Sequence, residues 1–139
     1  MLAAALSTFV ASADEVPAGW QIFSLSPGSC NAKRPGQEVD TLLMINNEGE
    51  LILVPAWPGR ELPGGMQKGE LAIDDGAPLP VEVMTLAMMA FLKVEDDALR
   101  KQLDGAKKLH WRFPWGDFNA DVTGLGAADA ALAKCVKGQ

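Results

Sequence analysis

The sequence has no tyrosine, one histidine (His110) and two cysteines (Cys30 and Cys135). A single imidazole excludes a His-based metal site, and no serine is flagged as a partner for a Ser–His nucleophile pair. No G-x-S-x-G, H-E-x-x-H, Walker or G-x-G-x-x-G pattern occurs. Gly124-Leu125-Gly126 lacks the third glycine and sits in no βαβ unit. Basic charge is also scarce: 12 Lys and Arg against 18 Asp and Glu leave a net charge of −6, with no basic run longer than Lys33-Arg34 or Lys107-Lys108. Phosphate backbones repel such a surface, so nucleic acid is excluded as a partner. The longest uncharged apolar stretch at the start, Leu2 to Ala11, is too short for a membrane span, which needs about 20 residues. These gaps together predict a non-catalytic protein with no cofactor and no metal.

What remains is the composition of an ordinary globular domain, 48% hydrophobic and 22% charged over 139 residues. Leu2 to Ala11, with the small-x-small triplet Ala11-Ser12-Ala13 at its end, has the form of a signal peptide, though no Lys or Arg precedes it; the competing reading is an ordinary N-terminal helix of the fold. The expected organisation is therefore a signal peptide over 1–13 and one globular domain over 14–139, periplasmic or secreted. In an oxidising compartment Cys30 and Cys135 read as a disulfide closing a loop of roughly a hundred residues. The competing reading is two unrelated buried thiols.

Strand signals dominate. Trp20 to Leu25 is apolar and aromatic up to Ser26-Pro27-Gly28; Cys30 to Gly36 has no period and reads as a loop. Glu38 to Ile45 and Glu50 to Val54 flank Asn46-Asn47-Glu48-Gly49, a hairpin signature, and both runs are apolar on two faces, as central strands are. Four glycines and three prolines place a surface loop over 55–69, and Glu70 to Asp75 alternates as a strand. Val81 to Val94 fits strand or helix; two β segments with a bend near Ala87 are the chosen reading. Asp96 to Asp104 predicts a helix with Asp96–Arg100 and Asp97–Lys101 pairs and a stop at Gly105. Leu109, Trp111 and Phe113, then Phe118, Ala120 and Val122, alternate with charged residues around Pro114-Trp115-Gly116, which predicts a hairpin with basic residues facing acidic ones. A last helix over about 126–137 presents Cys135. The fold class expected is α+β, mainly β: an antiparallel sheet curled into a sandwich or partial barrel, with two short helices over about 96–104 and 126–137.

Candidate chemistry is thin. Asp117-Phe118-Asn119-Ala120-Asp121 opens like a calcium loop, but Val122 replaces the required glycine and Ala128 the bidentate glutamate. His110 is read as a surface residue facing Asp121. Met44, Met66, Met84, Met88 and Met89 raise a thioether site for Cu(I), against which stands the common use of methionine as core filler. Trp20 and Trp111 are assigned to the core. Trp57 and Trp115 lie in Pro/Gly turns and are the candidate binding residues, exposed anchors for an envelope protein; the competing reading is an indole that plugs its loop onto the core. A carrier of a small apolar ligand is the alternative function, and an enzyme or enzyme inhibitor a lesser one.

Trp20-Gln21-Ile22, Ala72-Ile73-Asp74-Asp75-Gly76, the Leu99/Leu103 helix and Asp121-Val122-Thr123-Gly124-Leu125-Gly126-Ala127-Ala128 occur in an order that resembles small exported proteins of alphaproteobacteria, including the invasion-associated locus B-like group. That resemblance implies a β-rich periplasmic fold and no particular reaction.

Overall fold

The computed structural model describes residues 18–24 and 29–137. The expected signal peptide and the turn at 26–28 lie outside them. Among the described residues nine strands form one sheet: β1 (Gln21–Phe23), β2 (Asn31–Arg34), β3 (Asp40–Ile45), β4 (Leu51–Ala56), β5 (Gly65–Ile73), β6 (Leu79–Leu86), β7 (Met89–Val94), β8 (Lys108–Phe113) and β9 (Gly116–Asp121). Helix α1 (Asp97–Asp104) follows β7, and α2 (Leu125–Lys137) follows β9. The spatial order is β1-β2-β3-β4-β7-β6-β5-β8-β9, antiparallel throughout. The fold is thus α+β and mainly β, a curled half-barrel with two helices, as expected.

The curl brings the sheet's two edges together. Trp20, just before β1, donates its indole N–H to the carbonyl of Thr123, just after β9, at 2.9 Å. Arg34 at the end of β2 meets the Asp121 carboxylate at 3.4 Å. Helix α2 covers β1, β2 and β3, and the Cys30–Cys135 disulfide joins it to the residue before β2, with Cα atoms 6.1 Å apart.

Alternation decides the inner face. Leu109 lies opposite Ala120 and Trp111 opposite Phe118, all inward, while Lys108 faces Asp121 and Arg112 faces Asp117 outside. Leu43, Leu51, Leu53, Leu71, Val83 and Leu109 fill the same interior with no exposed surface. A close approach makes Gly69 necessary: a Cβ there would come within 2.6 Å of the Arg112 carbonyl and collide with the Phe113 ring. Gly49, at φ 79°, completes the β3–β4 turn as its residue type allows.

The 81–94 segment divides at Ala87, φ 55°, into β6 and β7, which agrees with the two-strand reading. Three expectations are corrected. Residues 31–34 form β2 rather than loop, because Ala32 packs inward opposite Leu43 while Lys33 pairs with Asp40 and Arg34 with Asp121. The 55–69 loop shrinks to 57–64. Pro55 stays in β4 opposite Thr41, and the β4–β7 pairing skips 54 and 55, where proline offers no N–H.

Arg100 does not pair with Asp96, whose side chain caps α1 by accepting from the Ala98 N–H. It binds Asp129 of α2 with two hydrogen bonds, 2.9 and 2.7 Å, and the Gly49 carbonyl at 2.9 Å. These bonds hold its guanidinium charge more firmly than usual, chiefly through Asp129. Asp129 is 5% exposed, so removing its partner strands a buried carboxylate. Arg100→Ala is expected to cost about 2–3 kcal/mol in urea unfolding, and Arg100→Ala/Asp129→Ala less than the sum of the two single variants.

Candidate binding surface

Three turns meet at one end of the half-barrel: the 57–64 loop, the Ala87-Met88 turn and the Pro114-Trp115 turn. The loop is fastened by backbone bonds from Trp57 N–H to the Met88 carbonyl and from Leu62 N–H to the Ala87 carbonyl, both 2.9 Å. Thr85, buried in β6, adds hydroxyl bonds to the Pro63 and Gly65 carbonyls. Arg60 reaches from this loop to the third turn, donating to the Trp115 carbonyl at 3.0 Å while its guanidinium lies 5.1 Å from the Phe118 ring centroid.

Inside this clasp sits an aromatic cluster. Trp57 stands edge-on to Trp115 at 5.1 Å and to Phe118 at 5.0 Å; Phe113 stacks on Trp115 at 4.5 Å and on Trp111 at 5.9 Å. The two candidate tryptophans are therefore neighbours, but they are not alike. Trp57 is 2% exposed, which corrects the expectation of an exposed anchor: the loop folds inward at Trp57 because a buried indole is what pins it to the core. Trp115 is half-buried and stays at the surface margin. The indole nitrogens of Trp57, Trp111 and Trp115 are buried without a hydrogen-bond partner.

The sequence reading did not anticipate the outer face beside this cluster. On β6, Val83 and Thr85 point inward, so Met84 and Leu86 point out. Strand register then assembles an apolar row, Phe91, Met84 and Met66, across β7, β6 and β5. Leu86 is 65% exposed, Met66 53%, Met84 46% and Met88 41%. A shallow cleft of about 320 Å³, lined by Gly59, Arg60, Glu61, Ala87 and Met88, lies between the loop and the β6–β7 turn. None of the five methionines after Met1 belongs to the buried core, which corrects the core-filler reading. The signal lay in 81–94, a strand pair apolar on both faces.

Polar candidates are already engaged. His110 lies opposite Asn119, not Asp121, and its Nδ1 contacts the Asn119 side-chain oxygen. Asp121 accepts from the Thr123 N–H and hydroxyl and meets Arg34; the Thr123 bonds, above all, pull its pKa below the usual carboxylate range. Asp74 is lowered in the same way by the backbone N–H groups of Lys107 and Lys108, which it anchors to the end of β5. Burial, followed by the nearby Asp129, raises Asp104. A polar cleft of about 510 Å³ opens at the barrel seam between 34–38 and 119–121. Among the described residues, no three His, Cys, Asp or Glu side chains are grouped to hold a metal ion, and no helix is long and apolar enough to cross a membrane.

Fold and surface together define a small, disulfide-stapled antiparallel half-barrel with a helix across its first strands and an apolar patch on its outer face. No protein-family model matches the sequence, and no curated protein matches it. Among solved structures, the crystal structure of invasion associated protein B from Bartonella henselae is similar in fold, with a TM-score of 0.58 and 16% sequence identity over 86% of this chain and 92% of that one.

Proposed function

We propose that this chain is an exported, non-catalytic binding module of the bacterial envelope, and that it docks another protein through the apolar end formed by Met66, Met84, Leu86 and Met88, with Trp115 at the margin. The observation that carries the reading is the exposure of Met66, Met84 and Leu86 on one face of the paired strands β5 and β6, with exposed Met88 in the turn that follows β6. Methionine suits such a surface, because its unbranched thioether adapts to a partner's shape. Arg60 and the Trp57 cluster fix the adjoining turns, so little ordering entropy is lost on docking. The disulfide and the similarity in fold to an invasion associated protein support export. The inner face of the curl is filled by leucine, valine and aromatic side chains, which disfavours the apolar-carrier alternative.

The test places a photo-crosslinking amino acid at Leu86 and, separately, at the exposed Gln102 on α1, in cells that express the full chain. A discrete protein adduct from position 86 and none from 102 is expected, in material from the periplasm that begins at Asp14. Equal adducts from both positions would remove the docking surface, and a full-length cytosolic species would remove export.

A further inference from the structure

The same face holds an unused chemistry. Met66 and Met84 are directly opposed across β5 and β6, and both point outward. Opposed residues on one face of an antiparallel pair have Cβ atoms about 4.5–5.5 Å apart. On the next strand Phe91 lies opposite Met84, and Met89 lies opposite Leu86, one diagonal step from Met84. Diagonal neighbours stand roughly 7–8 Å apart, within reach of long flexible side chains. Three thioethers can thus converge over one strand, with the Phe91 ring beside them and Met88 in the adjoining turn.

We propose that Met66, Met84 and Met89 form a thioether site for a soft monovalent cation of the Cu(I) class. Thioether sulfur is a soft, neutral donor that favours such ions over Zn²⁺, Mg²⁺ or Ca²⁺. The nearby charges do not compete: Lys93 is paired with Glu50 at 3.2 Å, and Lys68 lies opposite Glu82. Stronger soft donors are also out of play, since the sequence has only two cysteines and both are in the disulfide. Binding to a thioether releases no proton, so the site keeps its metal at about pH 5, where an imidazole is mostly protonated. This inference does not rest on the docking reading, because replacing methionine by leucine removes the donors and keeps the apolar area.

Native mass spectrometry of the oxidised full chain, titrated with Ag(I) in chloride-free buffer, tests it. One Ag(I) per chain is expected for the wild type and for Met44→Leu, at pH 7 and at about pH 5. Met66→Leu/Met84→Leu should weaken Ag(I) binding roughly tenfold or more, with an unchanged thermal unfolding midpoint. A wild type that takes up no Ag(I), or a double variant that binds as well as the wild type, would overturn the assignment. If the crosslink from position 86 persists in the double variant while the metal is lost, the two readings are separated.

Discussion

Trp57→Ala is expected to destabilise the domain by about 3–5 kcal/mol, the range for removing a buried indole that the surroundings cannot refill. Trp57 supports several groups at once: the loop whose backbone joins Met88, the Trp115 ring edge-on to it, and Phe118, over which Arg60 sits. Its collapse would therefore loosen all three turns. Trp57→Phe should cost much less, about 1 kcal/mol or a little more, because the indole N–H has no partner to lose and only part of the ring volume disappears. Urea unfolding followed by far-ultraviolet circular dichroism reads both. Equal losses for the two variants would mean that the nitrogen, and not the ring, matters. A small loss for the alanine variant would mean that the clasp does not depend on the cluster.

The second large effect concerns the staple. Cys30 and Cys135 are 105 residues apart in sequence, and a loop of that length gives about 4–5 kcal/mol of chain-entropy stabilisation. For a domain whose net stability is typically about 5–15 kcal/mol, Cys30→Ser/Cys135→Ser should be close to the limit of folding at physiological temperature. Cys30 is 3% exposed, so the serine hydroxyl adds a burial cost at that position. Cys30→Ala/Cys135→Ala avoids this and isolates the cross-link. In both variants the urea midpoint should fall well below that of the oxidised wild type and become indifferent to reductant. A wild type whose midpoint does not move on reduction would show that the α2–β2 packing holds the ends without the bond.

The sequence made the strands legible wherever one face was buried and the other wet. The β8–β9 hairpin shows why: Leu109, Trp111, Phe113, Phe118 and Ala120 alternate with charge, and one register satisfies both faces. Residues 31–34 escaped because their alternation comes down to Ala32, one small apolar residue among polar ones. Arg100 was misassigned for a different reason. An i,i+4 carboxylate is visible in the sequence, whereas the more effective partner, Asp129, is 29 residues away and near only after α1 meets α2. Trp57 and Trp115 read alike in Pro/Gly turns, and only the inward fold of the 57–64 loop separates the buried indole from the half-buried one. The outer apolar row was the least legible feature. Each of its residues sits in a separate strand, and the row exists only in the order β7-β6-β5, which local periodicity does not encode.

The seam where the sheet's edges meet also has a temporal meaning. Thr123 leaves the ribosome 103 residues after Trp20, and Cys135 leaves 105 residues after Cys30. The chain therefore emerges for most of its length as a ribbon whose two borders cannot yet find each other. Closure waits for contacts of the longest sequence separation, the kind that slow folding most. Until that closure the two borders stay apart, and the Cys30–Cys135 bond can form only after the last helix has been made.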